Sequence, residues 1–168
     1  DATVGKLRGF IESWLAKNVK PDSRVLFYFS GHGAPDPATG QAYLVPWDGD
    51  AKFLENTAYP LKRLYAKLNA LPAKEIIVAM DACFSGAGGR SVIARGTRPH
   101  VSVVDEGEAS VGRAAVLAAA GADEVTGTAE PQGHGLFTYF MLKGLNAKKG
   151  AATVAALHQY LLPRVSDE

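Results

Sequence analysis

The sequence has one cysteine, and this scarcity excludes several kinds of protein. A single thiol among 168 residues can form neither an internal disulfide nor a cysteine-rich zinc cluster. Such a chain fits a reducing compartment, and we expect a cytoplasmic protein. The thiol of Cys83 is therefore either a small apolar residue of the core or a reactive group.

Excess charge of one sign and long apolar runs are also missing. The net charge is +1 and no dense basic run occurs, so we expect neither a nucleic-acid interface nor a membrane-binding patch. No stretch approaches the roughly 18 apolar residues that a transmembrane helix needs, and no signal peptide is visible. We expect one domain over residues 1–168 and leave its oligomeric state open.

Unbroken apolar runs of strand length alternate with amphipathic helical patterns. The runs lack the alternation of a half-exposed strand, so we expect strands buried on both faces; they are RVLFYFS (24–30), EIIVAM (75–80) and AAVLAAA (114–120). Helical spacing occurs at residues 3–18, in the segment that begins at Pro60, and at 136–145 and 153–162. These patterns predict an α/β fold with a mostly parallel sheet and helices on both faces.

Two local patterns add detail to this prediction. In the first helical segment, the apolar residues at helical spacing predict one buried face, made of Leu7, Phe10, Ile11, Trp14 and Leu15. The stretch GHGAPDPATG (31–40) is rich in glycine and proline, which predicts a loop directly after the first strand.

Reactive side chains follow two of the predicted strands. His32 comes after the first run, in SGHG, and Cys83 comes after the second, in DACFSG. Neighbouring parallel strands lie about 4.8 Å apart, and sites form beyond their carboxyl ends. A thiolate attacks an acyl carbon, and an imidazole beside it can take the thiol proton and later protonate the leaving amine. The pattern predicts Cys83 as nucleophile and His32 as acid/base.

Neighbouring residues are predicted to complete this site. The backbone amides of Gly33 and Cys83 would form an oxyanion hole, because glycine lets a substrate carbonyl approach the backbone closely. Asp81 lies two residues before Cys83, so on an extended strand its side chain points the same way. Its carboxylate would bind a cationic side chain, which predicts protein or peptide substrates cut after Arg or Lys. Ser30 is a second predicted substrate contact.

Simpler interpretations of the same residues stay open. Cys83 would suit a buried core position, His32 a turn, and Asp81 a cap on a helix amide. His134 also lies in a GHG, but it precedes a helical pattern, which indicates turn chemistry. The stretch SGAGG (85–89) would cradle a phosphate in a nucleotide-binding signalling domain, although it lacks both the G-x-G-x-x-G spacing and a Gly-Lys-Ser/Thr ending.

The two reactive motifs occur together in a known family. YFSGHG (28–33) followed by MDACFSG (80–86) resembles the caspase-like cysteine peptidases, specifically the bacterial relatives of the metacaspases and paracaspases. GHGLFTYFMLKGL (133–145) is similar to the start of the helix after that family's small-subunit strand. The resemblance implies a dyad of His32 and Cys83, and it implies that Asp81 is the acidic pocket residue that favours Arg and Lys. A catalytically inactive scaffold of the same fold stays an alternative.

Three features depart from that family. The chain begins after the position of the family's first central strand, so we expect the domain to lack this strand and a second acidic pocket residue. Few acids occur in ENTAYPLKRL and SGAGGRSV, where calcium-dependent relatives cluster them, so we expect no metal and no other cofactor. The loop at 86–108 carries Arg90 and Arg95, and self-cleavage there competes with a merely solvating role for these arginines.

Overall fold

The structure is a computed structural model, and it describes residues 1–82, 84, 114–119, 128–129, 134–147, 150 and 152–165. Its first helical region has three consecutive parts, α1 (Val4–Arg8), a π-helical turn (Gly9–Trp14) and α2 (Leu15–Asn18). The later helices are α3 (Leu54–Thr57), α4 (Leu61–Asn69), α5 (Leu136–Ala147) and α6 (Val154–Val165). The strands are β1 (Arg24–Ser30), β2 (His32–Pro35), β3 (Ala42–Val45), β4 (Tyr59–Pro60), β5 (Glu75–Asp81), β6 (Ala114–Ala118), β7 (Thr128–Ala129) and β8 (His134–Gly135).

The main sheet is parallel and has the strand order β1-β5-β6. Strands β1 and β5 pair over their full length, from Arg24 beside Glu75 to Ser30 beside Asp81. On its other side, β5 pairs with β6, beginning with Ile76 beside Ala114. All three predicted apolar runs are therefore strands of one parallel sheet, and the two runs that precede the reactive residues are neighbours.

Helices cover both faces of this sheet. On one face, the first helical region and α4 pack on the strands around a core that includes Ile11, Leu61, Leu64, Leu68, Val25, Phe29, Ile76, Val78 and Met80. On the other face, α5 and α6 pack on β5 and β6 around Phe137, Met141, Leu157, Leu161, Ala79 and Leu117. The predicted α/β fold, with a mostly parallel sheet between helices, is confirmed.

Within the described part of the chain, one face of β1 is covered and the other is largely open, contrary to the prediction. Val25 and Phe29 are buried and Phe27 is partly buried against the same core, whereas Leu26 is 65% and Tyr28 43% exposed. This exposure follows from where the helices lie on the sheet. The apolar residues of α5 and α6 pack on Ala79 of β5 and on β6, and they leave Leu26 uncovered. The prediction of burial on both faces is correct for the second half of β5 and wrong for β1.

The buried face of the first helical region is narrower than predicted. Leu7, Ile11 and Leu15, spaced four apart, contact the core. Phe10 and Trp14 are exposed and pack edge to face, with ring centroids 6.1 Å apart. A π turn contains more residues than an α turn, so residues three positions apart are separated by a larger angle around the helix axis. Phe10 follows Leu7 and Trp14 follows Ile11 by three positions, so both leave the buried face. The prediction that Phe10 and Trp14 belong to the buried face is therefore wrong.

A second, smaller sheet follows β1 directly. Strands β2, β3 and β4 pair in an antiparallel manner, with His32 beside Val45 and Leu44 beside Tyr59. The predicted loop at 31–40 is thus partly a strand, because pairing with β3 gives its first residues a ladder that local composition does not reveal. Among the described helices, none is both long and apolar enough to cross a membrane.

Candidate active site

The candidate site lies where β1 and β5 end. The last register pair of these strands is Ser30 with Asp81, and the amide of Gly31 donates to the carbonyl oxygen of Asp81 at 3.2 Å. In the sequence, His32 follows Ser30 by two residues, and Cys83 follows Asp81 by two residues. Cys83 lies outside the described residues, so its roles as nucleophile and oxyanion donor stay predictions.

His32 stands at the start of β2, where the chain passes from the main sheet to the small one. Its side chain is exposed and its backbone lies beside Val45. Gly33 is buried and lies beside Leu44. Gly31 has a packing reason to be glycine, since a Cβ there would lie 3.0 Å from the ring of Phe29. The structure thus presents the imidazole of His32 at the surface, at the carboxyl edge of the sheet.

Asp81 is 0% exposed and is held by the first turn of α5. Its Oδ2 accepts hydrogen bonds from the amide of Thr138, at 3.3 Å, and from the hydroxyl of Thr138. An acceptor at this position satisfies one of the amides that a helix leaves unpaired in its first turn. The interpretation of Asp81 as a helix cap therefore has direct support, while its predicted role in substrate binding stays a prediction. Ser30, its register partner, is exposed.

Two residues of this cluster are not found by the sequence analysis. Thr138 bonds to Asp81, and the hydroxyl groups of Thr138 and Tyr28 lie 2.8 Å apart. The available signal is weak: Thr138 is the polar residue within the apolar stretch LFTYFML of α5. Tyr28 begins the motif YFSGHG, but no local pattern predicts its contact with α5, which depends on the sheet register and joins residues 110 positions apart.

Another polar cluster lies beneath the first helical region, away from the strand ends. Glu12 accepts from the hydroxyl of Tyr59 at 3.0 Å and from the guanidinium of Arg63 at 2.7 Å. Burial, and then the hydrogen bond to Glu12, raise the pKa of Tyr59. Burial alone would raise the pKa of Glu12, but the bonds from Arg63 and Tyr59 hold this pKa below its ordinary value. These shifts come from contacts that join the first helical region to β4 and α4, so they indicate a structural cluster.

The other predicted site residues lie beyond the described part of the chain. Arg90, Arg95 and the loop at 86–108 belong to this group, as does the SGAGG stretch. Across the described ranges, no group of three His, Cys, Asp or Glu side chains could hold a metal ion. The expectation of a metal-free protein without cofactors stays a prediction.

Comparison with known families decides the class of this chain. The family model of the caspase domain, a peptidase family, matches residues 1–168. The chain belongs to the caspase-domain peptidases. This family is one of cysteine peptidases, so the resemblance that the two motifs carry is confirmed at the level of the family. No curated protein matches the caspase domain described here.

Proposed function

We propose that this caspase domain is an endopeptidase of the metacaspase type that cuts after Arg or Lys, with Cys83 as nucleophile and His32 as acid/base. The observation that carries the proposal is the register of β1 and β5. Ser30 lies beside Asp81, and each candidate catalytic residue follows a member of this pair by two residues. Membership of a cysteine peptidase family supports thiol chemistry at the one cysteine of the chain.

The reaction would proceed in two steps. His32 takes the proton of the Cys83 thiol, and the thiolate attacks the scissile carbonyl carbon. The amides of Gly33 and Cys83 would stabilise the oxyanion of the tetrahedral intermediate. His32 then protonates the leaving amine as the C–N bond breaks, which leaves a thioester. Water, deprotonated by His32, hydrolyses the thioester and restores the thiol.

Asp81 would select the basic side chain of the substrate. Its carboxylate is buried, where an opposite charge is attracted more strongly than in water. Because Asp81 has no exposed surface, a bound guanidinium or ammonium would displace protein atoms that now cover the carboxylate. Ser30, exposed beside Asp81, would contact the substrate at the mouth of this pocket.

Peptides carrying a fluorogenic amide after Arg, Lys or Asp test the proposal. We expect turnover of the Arg and Lys peptides, little turnover of the Asp peptide, and none of any peptide by Cys83→Ala or His32→Ala. The matched control is His158→Ala, since His158 is an exposed residue of α6 and its replacement should leave turnover unchanged. Undiminished turnover by Cys83→Ala would contradict the proposal, and an inert wild type would favour the inactive scaffold.

Self-cleavage in the loop at 86–108 follows from the same specificity. We propose Arg95 as the main cut, with Arg90 as the second, because glycine neighbours both residues and exposed glycine-bearing loops are readily nicked. Incubation followed by intact-mass analysis should give two fragments for the wild type from the cut after Arg95, a third where Arg90 is also cut, and one intact mass for Cys83→Ala. Equal masses for both proteins would contradict self-cleavage and would not contradict the peptidase proposal.

A further inference from the structure

Asp81 and Thr138 are buried polar residues that bond to each other where β5 meets α5. Their exposed fractions are 0% and 6%. They come from β5 and α5, and they bond to each other through two hydrogen bonds. A buried carboxylate needs hydrogen-bond donors, and Thr138 supplies two of them to Oδ2 of Asp81.

The direction of the hydrogen bonds extends this pair to Tyr28. The Thr138 hydroxyl has a single proton and donates it to Oδ2 of Asp81. The contact of 2.8 Å between the Tyr28 and Thr138 hydroxyls therefore needs the Tyr28 proton, and Tyr28 donates. The result is a directed chain from the Tyr28 hydroxyl, through the Thr138 hydroxyl, to Oδ2 of Asp81.

This chain fixes the orientation of the carboxylate. Two Thr138 donors converge on Oδ2, and the hydroxyl donor is itself held by Tyr28 on β1, the strand beside β5. A carboxylate that binds a cation with defined geometry needs such support from the residues around it, because side chains held by further hydrogen bonds keep the productive orientation.

We propose that Thr138 and Tyr28 are positioning residues that orient Asp81 for the basic side chain of the substrate. This inference rests on the proposed function of Asp81. It predicts an effect on binding rather than on bond cleavage, because neither residue belongs to the Cys83 and His32 pair. Thr138 should contribute more than Tyr28, since Thr138 contacts the carboxylate and Tyr28 acts through it.

The test uses three variants of the full chain and two measurements. Thr138→Val keeps the branched shape and removes the hydroxyl, Thr138→Ser keeps the hydroxyl, and Tyr28→Phe removes the end of the hydrogen-bond chain. The first measurement is KM and kcat on an Arg peptide. The second is calorimetric binding of acetyl-arginine amide in a Cys83→Ala background, which needs no turnover.

We expect Thr138→Val to raise KM and weaken arginine-amide binding by about 10-fold, the size expected for a hydrogen bond to a charged group. Its kcat should stay within about twofold, Thr138→Ser should behave as the wild type, and Tyr28→Phe should give an effect of about threefold in the same direction. Binding by Thr138→Val as tight as by the parent, even with a lower melting temperature, would overturn the inference, as would a parent protein that binds no arginine amide. Weakened binding in a protein that cleaves no peptide would sustain the inference and overturn the proposed peptidase.

Discussion

Strands β1 and β5 are both largely apolar, have the same length and pair residue for residue, yet they occupy different environments. Both have seven residues, RVLFYFS in β1 and EIIVAMD in β5. In β1, alternate side chains are exposed, whereas β5 is buried without interruption from Val78 to Asp81. The difference arises because β5 has a strand on each side and helices on both faces, while β1 has one described neighbour in the sheet and one covered face.

The comparison shows that the strands and helices around a strand, rather than its composition, decide which of its side chains are buried. Each strand leads toward one member of the proposed catalytic pair. The central strand carries the buried Asp81, and the outer strand leads to the exposed His32. A buried carboxylate and an exposed imidazole near one edge of a sheet would suit the proposed acyl-transfer site with a charged pocket.

The largest expected effect comes from truncating an apolar side chain in each strand. Ile76→Ala in β5 should lower the free energy of unfolding by about 3 kcal/mol, because it leaves a cavity in a close-packed core. Leu26→Ala in β1 should change it by less than about 0.5 kcal/mol, since the side chain is largely in water. Urea denaturation of both variants measures the difference. Similar losses would show that the two strands are equally buried in solution.

The second-largest expected effect on stability concerns Asp81 and Ser30, which lie side by side at the ends of β5 and β1. Asp81→Ala should lower the free energy of unfolding by about 2 kcal/mol, because the Thr138 amide and hydroxyl lose a buried acceptor. Ser30→Ala, at the exposed partner position, should have an effect below about 0.5 kcal/mol. Thermal denaturation at neutral pH compares them. Equal melting temperatures for Asp81→Ala and the wild type would contradict the buried contact with Thr138.

The smallest effect concerns the face on which both strands are covered alike. Tyr59→Phe removes the hydrogen bond to Glu12 and should lower the free energy of unfolding by about 1 kcal/mol. Amide exchange should then accelerate in β1 and β5 together, because the same helices cover both strands on that face. Acceleration in one strand alone would show that this cover is not shared.

The Glu12 cluster also predicts a pH dependence. The folded protein holds the pKa of Glu12 below its ordinary value of 4.5, so its stabilising effect is present above that value and is lost as pH falls through the folded pKa. The difference in stability between the wild type and Glu12→Gln should therefore be largest near neutral pH and vanish in acid. A constant difference from pH 7 to pH 3 would contradict the pairing of Glu12 with Arg63 and Tyr59.

Features set by local pattern are predicted well by the sequence. The apolar run of β5 and the helix that follows Pro60, with Leu64 and Leu68 inward, both appear as expected. Features set by distant partners are not. The exposure of one face of β1 depends on the position of α5 on the sheet, and β2 forms because β3 pairs with it.

The same distinction between local patterns and distant partners applies to the residues of the candidate site. The motifs locate His32, Asp81 and the adjacent strand ends, because each lies at the end of a local pattern. The contact of Asp81 with Thr138 joins positions 57 residues apart, and no periodicity in the sequence encodes it. Tyr28 can be assigned to the site only when the register of β1 and the position of α5 are known.

The most direct test of the central claim is the rate at which iodoacetamide alkylates Cys83, with and without His32. Cys83 is the sole cysteine, so intact mass reports that thiol alone. At pH 6.5, we expect the wild type to react about 10-fold faster than His32→Ala, because a paired imidazole takes up the thiol proton and alkylation needs the thiolate. The His158→Ala control should match the wild type. Equal rates for the wild type and His32→Ala would show that the imidazole and the thiol do not act together.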